Sequence, residues 1–113
     1  MRKSTLANIS APALGLVVVF ALAFSPTAAQ ADDAAATFKA KCSPCHGVDG
    51  SGNTPAGKAV KAQDLRVAEI QSKTDADLAK IITDGKGKMP SFKSSLSEDQ
   101  IKALIAHIRT LKK

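Results

Sequence analysis

The stretch that decides the fold is Cys42-Ser43-Pro44-Cys45-His46, and it holds both cysteines of the 113-residue chain. Two thiols that flank two residues, followed at once by an imidazole, bring three strong ligand or attachment groups into one short segment. Outside this segment the chain has one further imidazole, that of His107, and no further thiol. The function of the chain therefore depends on what this segment binds.

Three kinds of site use a Cys-x-x-Cys pattern. Cys-x-x-Cys-His is typical of a covalent c-type haem, in which the thiols add to the two vinyl groups and the adjacent histidine, here His46, binds the iron. A thioredoxin-like redox pair needs a βαβ context, and no early strand is visible. A zinc site needs two further ligands, and only His107 remains. The pattern of Cys42 and Cys45 predicts one covalent haem c, with the disulfide and zinc sites as alternatives.

The N-terminus has the order of a secretory signal peptide. The pair Arg2-Lys3 precedes an apolar run over residues 11–24, and Ala29-Gln30-Ala31 has the small-x-small form of a cleavage site. The run is shorter than the ~20 residues that a transmembrane helix needs. We therefore expect residues 1–31 to be a signal peptide cleaved after Ala31, and residues 32–113 to be a periplasmic domain. A thylakoid lumen and an uncleaved membrane anchor are the alternatives.

The mature domain is small and mildly basic. Removing residues 1–31 takes away two basic and no acidic residues, so the net charge falls from +6 to +4. Domains of this size usually need a disulfide, a metal or another internal staple, because their hydrophobic core is small. A haem in the interior would meet this need. The charge is spread along the chain, so we expect no nucleic-acid partner, and we expect a monomer.

Hydrophobic periodicity predicts an all-α domain of three or four short helices. A first helix is expected over residues 33–41, which are rich in Ala and have acids first and lysines last. Thr74 can begin a helix that Gly85 ends. Ser97 and Gln100 form a capping box for the last helix. No stretch alternates with the period of two that a strand requires.

Two Gly-rich segments separate these helices and are predicted to be loops. They cover residues 47–57 and residues 85–92, and a short helical stretch is expected between them at residues 67–70. Long loops in a compact domain usually have a function.

Met89 is the candidate for the second axial ligand of the haem iron. It is the only Met of the mature domain and precedes Pro90 in a Gly-rich loop. A Met opposite a His raises the reduction potential and fills the sixth coordination position. In the alternative, Met89 fills a gap in the core. Other alternative ligands are His107, on the flank of the last helix's apolar stripe, and Lys86 or Lys88 at high pH.

The second ring nitrogen of His46 also needs a partner. Imidazoles that bind a metal nearly always donate their other N–H to a carbonyl or carboxylate. The backbone carbonyl of Pro55 is our candidate acceptor, because proline holds its backbone stiffly. In the alternative, Pro55 only ends a turn.

Several of these motifs together resemble the small class I c-type cytochromes of the soluble bacterial type. They are Cys42–His46 after a helix bearing Phe38, the pair Met89-Pro90, and a last helix that contains residues 104–109. The resemblance extends over residues 32–113. It implies the cytochrome c fold, in which the first and last helices cross, Phe38 packs against the last helix, and one edge of the haem reaches solvent.

The chain departs from the family pattern at two positions. Ala34 stands where the family usually has Gly at the helix crossing, and His107 stands where it usually has an aromatic residue. Losing an aromatic pair removes packing of about 0.5–1.5 kcal/mol. We expect a slightly looser crossing and the same fold.

The resemblance implies an electron carrier and not an enzyme. With both axial positions filled, the remaining chemistry is one-electron exchange through the haem edge. Lys86, Lys88 and Lys93 flank the Met89 loop and are expected to steer redox partners with acidic surfaces, unless they form an ordinary solvated surface. The alternative function is a peroxidase-like or gas-binding haem module in which Met89 is a labile ligand.

Overall fold

The computed structural model of the protein describes residues 12–19 and 28–113. This part of the chain is helical, and its only β feature is an isolated bridge between Lys86 and Met89. The helices are α1 (Ala28–Thr37), a π-helical turn (Phe38–Cys42), α2 (Ser43–His46), α3 (Pro55–Val60), α4 (Ala68–Gln71), α5 (Asp75–Asp84) and α6 (Glu98–Thr110). The predicted all-α class is confirmed.

Most of the predicted signal peptide lies outside the described residues. Residues 12–19, from its apolar run, are exposed and have no regular secondary structure. Helix α1 begins at Ala28, ahead of the predicted cleavage position after Ala31. No helix within the described ranges is long and apolar enough to cross a membrane. The cleavage of residues 1–31 stays a prediction.

The first helix differs from its predicted bounds at both ends. It begins earlier than residue 33, and its α-helical part ends at Thr37, after which the π-helical turn continues to Cys42. A π-helical turn is a local widening of the helix that residue propensities do not encode, and such turns are frequent at functional sites. Phe38, the first residue of this turn, is only 1% exposed. The turn therefore leads from the core directly to Cys42.

Helices α5 and α6 begin as their sequences predict. The Thr74 hydroxyl accepts a hydrogen bond from the Asp77 N–H at 3.1 Å. Ser97 and Gln100 form the reciprocal capping box, with distances of 3.2 and 2.8 Å. Gly85 follows α5 with a φ of 78°. The short helix α4 also confirms the helical stretch expected near residues 67–70.

The prediction that residues 47–57 form a loop is wrong at its end. Helix α3 begins at Pro55, and the hydroxyl of Thr54 accepts a hydrogen bond from the Gly57 N–H at 2.9 Å. A Thr at the N-cap followed by Pro at the first helical position is a helix start signal. The pair Thr54-Pro55 therefore carried the information needed to predict α3.

The core lies where α6 packs against α1 and α5. Ala34 is the buried residue of α1 and is 5% exposed. The ring of Phe38 packs against the ring of His107, with centroids 4.9 Å apart, so the predicted packing of Phe38 on the last helix is confirmed. The buried apolar cluster contains Phe38, Leu65, Ile70, Leu78, Ile82, Leu96, Ile101, Leu104, Ile105 and Ile108.

Candidate functional site

A single cavity brings together four of the side chains that the sequence singles out. Cys42, Cys45, His46 and Met89 all line it, and its volume is about 410 Å³, within the usual range for ligand pockets. The apolar part of the lining comes from the π-helical turn, α3 to α6 and the connecting loops. It consists of Phe38, Val60, Ala62, Leu65, Ile70, Leu78, Ile81, Ile82, Pro90, Phe92, Leu104 and Ile108.

Helix α3 holds the segment that carries the two thiols. The hydroxyl of Thr54 lies 2.8 Å from the Pro44 carbonyl oxygen and 3.1 Å from that of Cys45. A Cβ at Gly57 would overlap the carbonyl oxygen of Cys45. Only glycine therefore lets α3 lie this close to α2, and the contact fixes the backbone around Cys45.

The Cys42 thiol lacks the lowered pKa of a redox-active cysteine. Cys42 and Cys45 are both free and partly buried. Burial raises the pKa of the Cys42 thiol to about 11, although Lys41 lowers it to a smaller extent. A catalytic dithiol depends on a thiol whose pKa is lowered. The environment of Cys42 therefore disfavours the thiol–disulfide alternative.

The zinc alternative lacks its set of ligands in the described part of the chain. Among residues 12–19 and 28–113, no group of three or more His, Cys, Asp or Glu side chains is placed to hold a metal ion. A structural zinc site needs four such ligands.

His107, the one further imidazole, packs on Phe38 and does not line the cavity. The structure therefore does not bring His107 to the place of an alternative iron ligand.

The structure corrects the predicted partner of His46. Its Nδ1 lies 2.9 Å from the backbone carbonyl oxygen of Gln63, whereas Pro55 begins α3 and does not line the cavity. When Nδ1 carries the proton and donates it to Gln63, Nε2 is left as the metal-binding nitrogen. The sequence offers no signal for this partner, because any residue can supply a backbone carbonyl.

Met89 is held by a tight hairpin. The Met89 N–H donates to the Lys86 carbonyl at 3.0 Å, and the Lys86 N–H donates to the Met89 carbonyl at 3.2 Å. Gly87, between them, has a positive φ of 58°, which glycine adopts without steric cost. Met89 therefore lines the cavity from a backbone with a defined conformation.

The chain beyond Met89 is tied to the end of α5. The N–H groups of Phe92 and Lys93 donate to the carbonyls of Ile82 and Thr83, each at 3.1 Å. These carbonyls lie in the last turn of α5, where no intrahelical donor remains. The position of Met89 therefore depends on α5.

Five lysines line the cavity. Lys86 and Lys88 line it as part of the Met89 loop, whereas Lys93 does not. The other three, Lys41, Lys61 and Lys73, were not predicted from the sequence, because they are distant from the Met89 loop along the chain and only the fold brings them to the cavity.

Comparison with known proteins agrees with this site. Residues 29–108 match the family described as cytochrome C oxidase, cbb3-type, subunit III. The chain is 35% identical over 94 residues to cytochrome c6 of Nostoc sp. (strain PCC 7120), covering 81% of this chain and 82% of that protein. It is 38% identical over 79 residues to cytochrome c6 of Leptolyngbya boryana, covering 67% and 89%. A solved c-type cytochrome, KustC0563, superposes with a TM-score of 0.66 at 32% identity and covers 71% of this chain and 98% of that chain.

The side chains of the cavity fit a covalently bound haem. Two thiols suit covalent attachment, an imidazole and a thioether are axial donors for haem iron, and the wall is largely apolar. The chain belongs to the c-type cytochromes, as a small class I member that carries covalent haem c and is an electron-transfer protein, not an enzyme.

Proposed function

We propose that this chain is an exported carrier of single electrons that holds its haem c through Cys42 and Cys45, with His46 and Met89 as axial ligands. The observation that carries the proposal is the cavity that all four side chains line. When bound, the haem supplies a reversible one-electron couple. His46 and Met89 would both hold the haem iron, which would leave no position open for a substrate.

The protein's own residues would set the conditions for this electron exchange. The apolar wall excludes water, and Phe38 and Leu104 within it are each 1% exposed. Exclusion of water limits the solvent reorganisation that a change of charge requires. The thioether of Met89 favours the reduced iron, and the bond from His46 to Gln63 fixes the orientation of the imidazole.

The lysines of the cavity support the proposal that the redox partners have acidic surfaces. We define the lysine patch as Lys41, Lys61, Lys73, Lys86 and Lys88, all of which line the cavity. Four of them are exposed and Lys73 is half-buried. Glu69 is the acidic residue of the lining, so positive charge dominates there. Such a patch raises the association rate with an acidic partner more than its final affinity.

Export is supported by the order of charged, apolar and small residues at the N-terminus. The mature protein would begin at Asp32, be a periplasmic monomer and have no membrane anchor. Mass spectrometry of the exported protein tests this part of the proposal. The expected mass is that of residues 32–113 plus one haem, and a protein that keeps residues 1–31 would contradict cleavage.

Optical spectroscopy of the purified protein tests the ligands. The oxidised wild type should show the weak near-infrared band of a sulfur-to-iron transition, and its reduced form should bind carbon monoxide poorly. Met89→Ala should lose the band and bind carbon monoxide readily. An unchanged band in Met89→Ala would exclude Met89 as a ligand.

Denaturing electrophoresis with haem staining tests the attachment. Wild-type haem should stay with the polypeptide, whereas the double variant Cys42→Ala, Cys45→Ala should lose it, because no thiol remains to form a thioether. Haem that stays attached in the double variant would contradict the assignment.

A further inference from the structure

The Gln63 carbonyl that accepts from His46 lies two residues before Leu65, and Gln71 of α4 hydrogen-bonds to Leu65. Nε2 of Gln71 donates to the carbonyl oxygen of Leu65 at 2.8 Å and to that of Ile108 at 3.0 Å. A glutamine amide has two N–H donors, and both are used here on backbone carbonyls of different parts of the fold. Gln71 therefore joins Leu65 to the last helix.

An arginine of α6 in turn holds the backbone that carries Gln71. Nη1 of Arg109 donates to the Gln71 carbonyl at 2.8 Å, and Nη2 donates to the Lys73 carbonyl at 2.6 Å and to Asp75 Oδ1 at 2.8 Å. The side chain of Arg109 is only 29% exposed. A planar guanidinium can serve three acceptors at fixed positions, which a lysine ammonium on a flexible stem does less well.

Residues 63–65 contact both the loop that follows α2 and the imidazole of His46. The Leu65 N–H donates to the Gly50 carbonyl at 2.7 Å, which ties the segment to the loop that follows α2. Gln63, two residues before Leu65, supplies the carbonyl oxygen 2.9 Å from His46 Nδ1. Hydrogen bonds, together with the short backbone segment from Gln63 to Leu65, therefore connect Arg109 to the imidazole of His46.

We propose that Gln71 and Arg109 are positioning residues for His46, because they fix residues 63–65 so that the Gln63 carbonyl accepts the His46 Nδ1–H. Neither Gln71 nor Arg109 lines the cavity, so both act through backbone atoms. This inference rests on the proposed role of His46 as an axial ligand. Loss of the group that bonds to the second ring nitrogen of a metal-binding histidine lowers metal affinity or activity by about 10–100-fold.

The experiment compares two Gln→Met substitutions in the complete, haem-loaded protein. Gln71→Met keeps the length of the side chain and removes both donors. Gln100→Met is the matched control, because the Gln100 side chain accepts from the Ser97 N–H at the opposite end of α6. Two quantities are measured by NMR and by denaturant unfolding, namely the exchange rate of the His46 Nδ1–H and the free energy of unfolding.

Both variants should lose stability, but only Gln71→Met should release the histidine proton. We expect its His46 Nδ1–H to exchange about tenfold faster than in the wild type, after correction for global unfolding. Gln100→Met should keep the wild-type rate after the same correction. Equal corrected rates in the two variants would overturn the proposal, because Gln71 would then be a purely structural residue.

A second variant keeps the test decisive if Gln71→Met does not fold. Arg109→Lys retains the positive charge, and we expect a smaller increase of the corrected His46 Nδ1–H exchange rate. An unchanged rate in Arg109→Lys would also overturn the proposal. A wild-type protein without signals of an iron-bound histidine would instead contradict the proposed function, so the two failures are distinguishable.

Discussion

Replacing Gly85 by alanine should displace the Met89 loop. Gly85 follows α5 with φ 78° and ψ 170°, a conformation that is almost restricted to glycine. An added Cβ would lie 2.6 Å from the Met89 carbonyl oxygen and 2.9 Å from both the Pro90 carbonyl carbon and the Ser91 nitrogen. All three neighbours are backbone atoms, so no side-chain rotation can relieve the overlap.

Two separate costs add up in Gly85→Ala. The backbone conformation costs about 1–3 kcal/mol for a residue with a Cβ, and forcing a methyl group into packed surroundings costs about another 1–3 kcal/mol. The Ser91 hydroxyl donates to the Thr83 carbonyl at 2.6 Å, which resists movement of the loop. We expect the free energy of unfolding to fall by about 2–6 kcal/mol, with Met89 displaced from the cavity to the extent that the loop moves.

Gly87→Ala is the matched control for this prediction. Gly87 also has a positive φ, 58°, but no atom lies within 4 Å of a Cβ built there. Its substitution should cost only the left-handed strain, about 1–2 kcal/mol. Guanidinium unfolding and the near-infrared band are measured for both variants. Retention of the full near-infrared band in Gly85→Ala, with no greater loss of the free energy of unfolding than in Gly87→Ala, would contradict displacement of the Met89 loop.

Three further predictions concern the caps, the pH dependence and the surface charge. Thr54→Val should lower the free energy of unfolding by about 1–2 kcal/mol, measured in denaturant, because it removes the cap of α3; a loss below about 0.5 kcal/mol would contradict that role. Burial lowers the pKa of His107 from 6.5, so the unfolded chain binds more protons than the folded one as the pH falls below about 6.5, and stability should decrease there. His107→Leu should flatten this part of the pH profile of thermal unfolding, and an unchanged slope would exclude His107 as its cause. Lys88→Glu should slow electron transfer to the anionic oxidant ferricyanide at low salt more than Lys93→Glu does, and equal rates would contradict the lysine patch.

Local signals explain which parts of the fold were predictable. Thr74, Gly85 and the Ser97–Gln100 box act on backbone groups within a few residues of themselves, so α5 and α6 can be identified without knowledge of the fold. The same kind of signal at Thr54-Pro55 marks α3, although the many glycines around it favour a loop prediction. The π-helical turn has no such signature, because residue propensities do not encode a local widening of the helix.

The partner of His46 shows why the rest of the site was not predictable. The need for an acceptor follows from imidazole chemistry, but every residue has a carbonyl, so its identity depends on the path of the chain. That path is held by Gln71 and Arg109, which hydrogen-bond to residues between 6 and 38 positions away along the chain. The prediction of the Pro55 carbonyl is wrong, because the carbonyl oxygen 2.9 Å from His46 Nδ1 belongs to Gln63.

The amino-acid sequence alone determined the attachment chemistry and the helical class, since thiols, an imidazole and helix caps are properties of residue types at short spacing. The tertiary structure decided that Met89 and His46 line one cavity, that five lysines surround it and that His107 lies elsewhere. These facts arise from contacts between residues that are distant along the chain. Such contacts form only when α5 and α6 bury their apolar faces together.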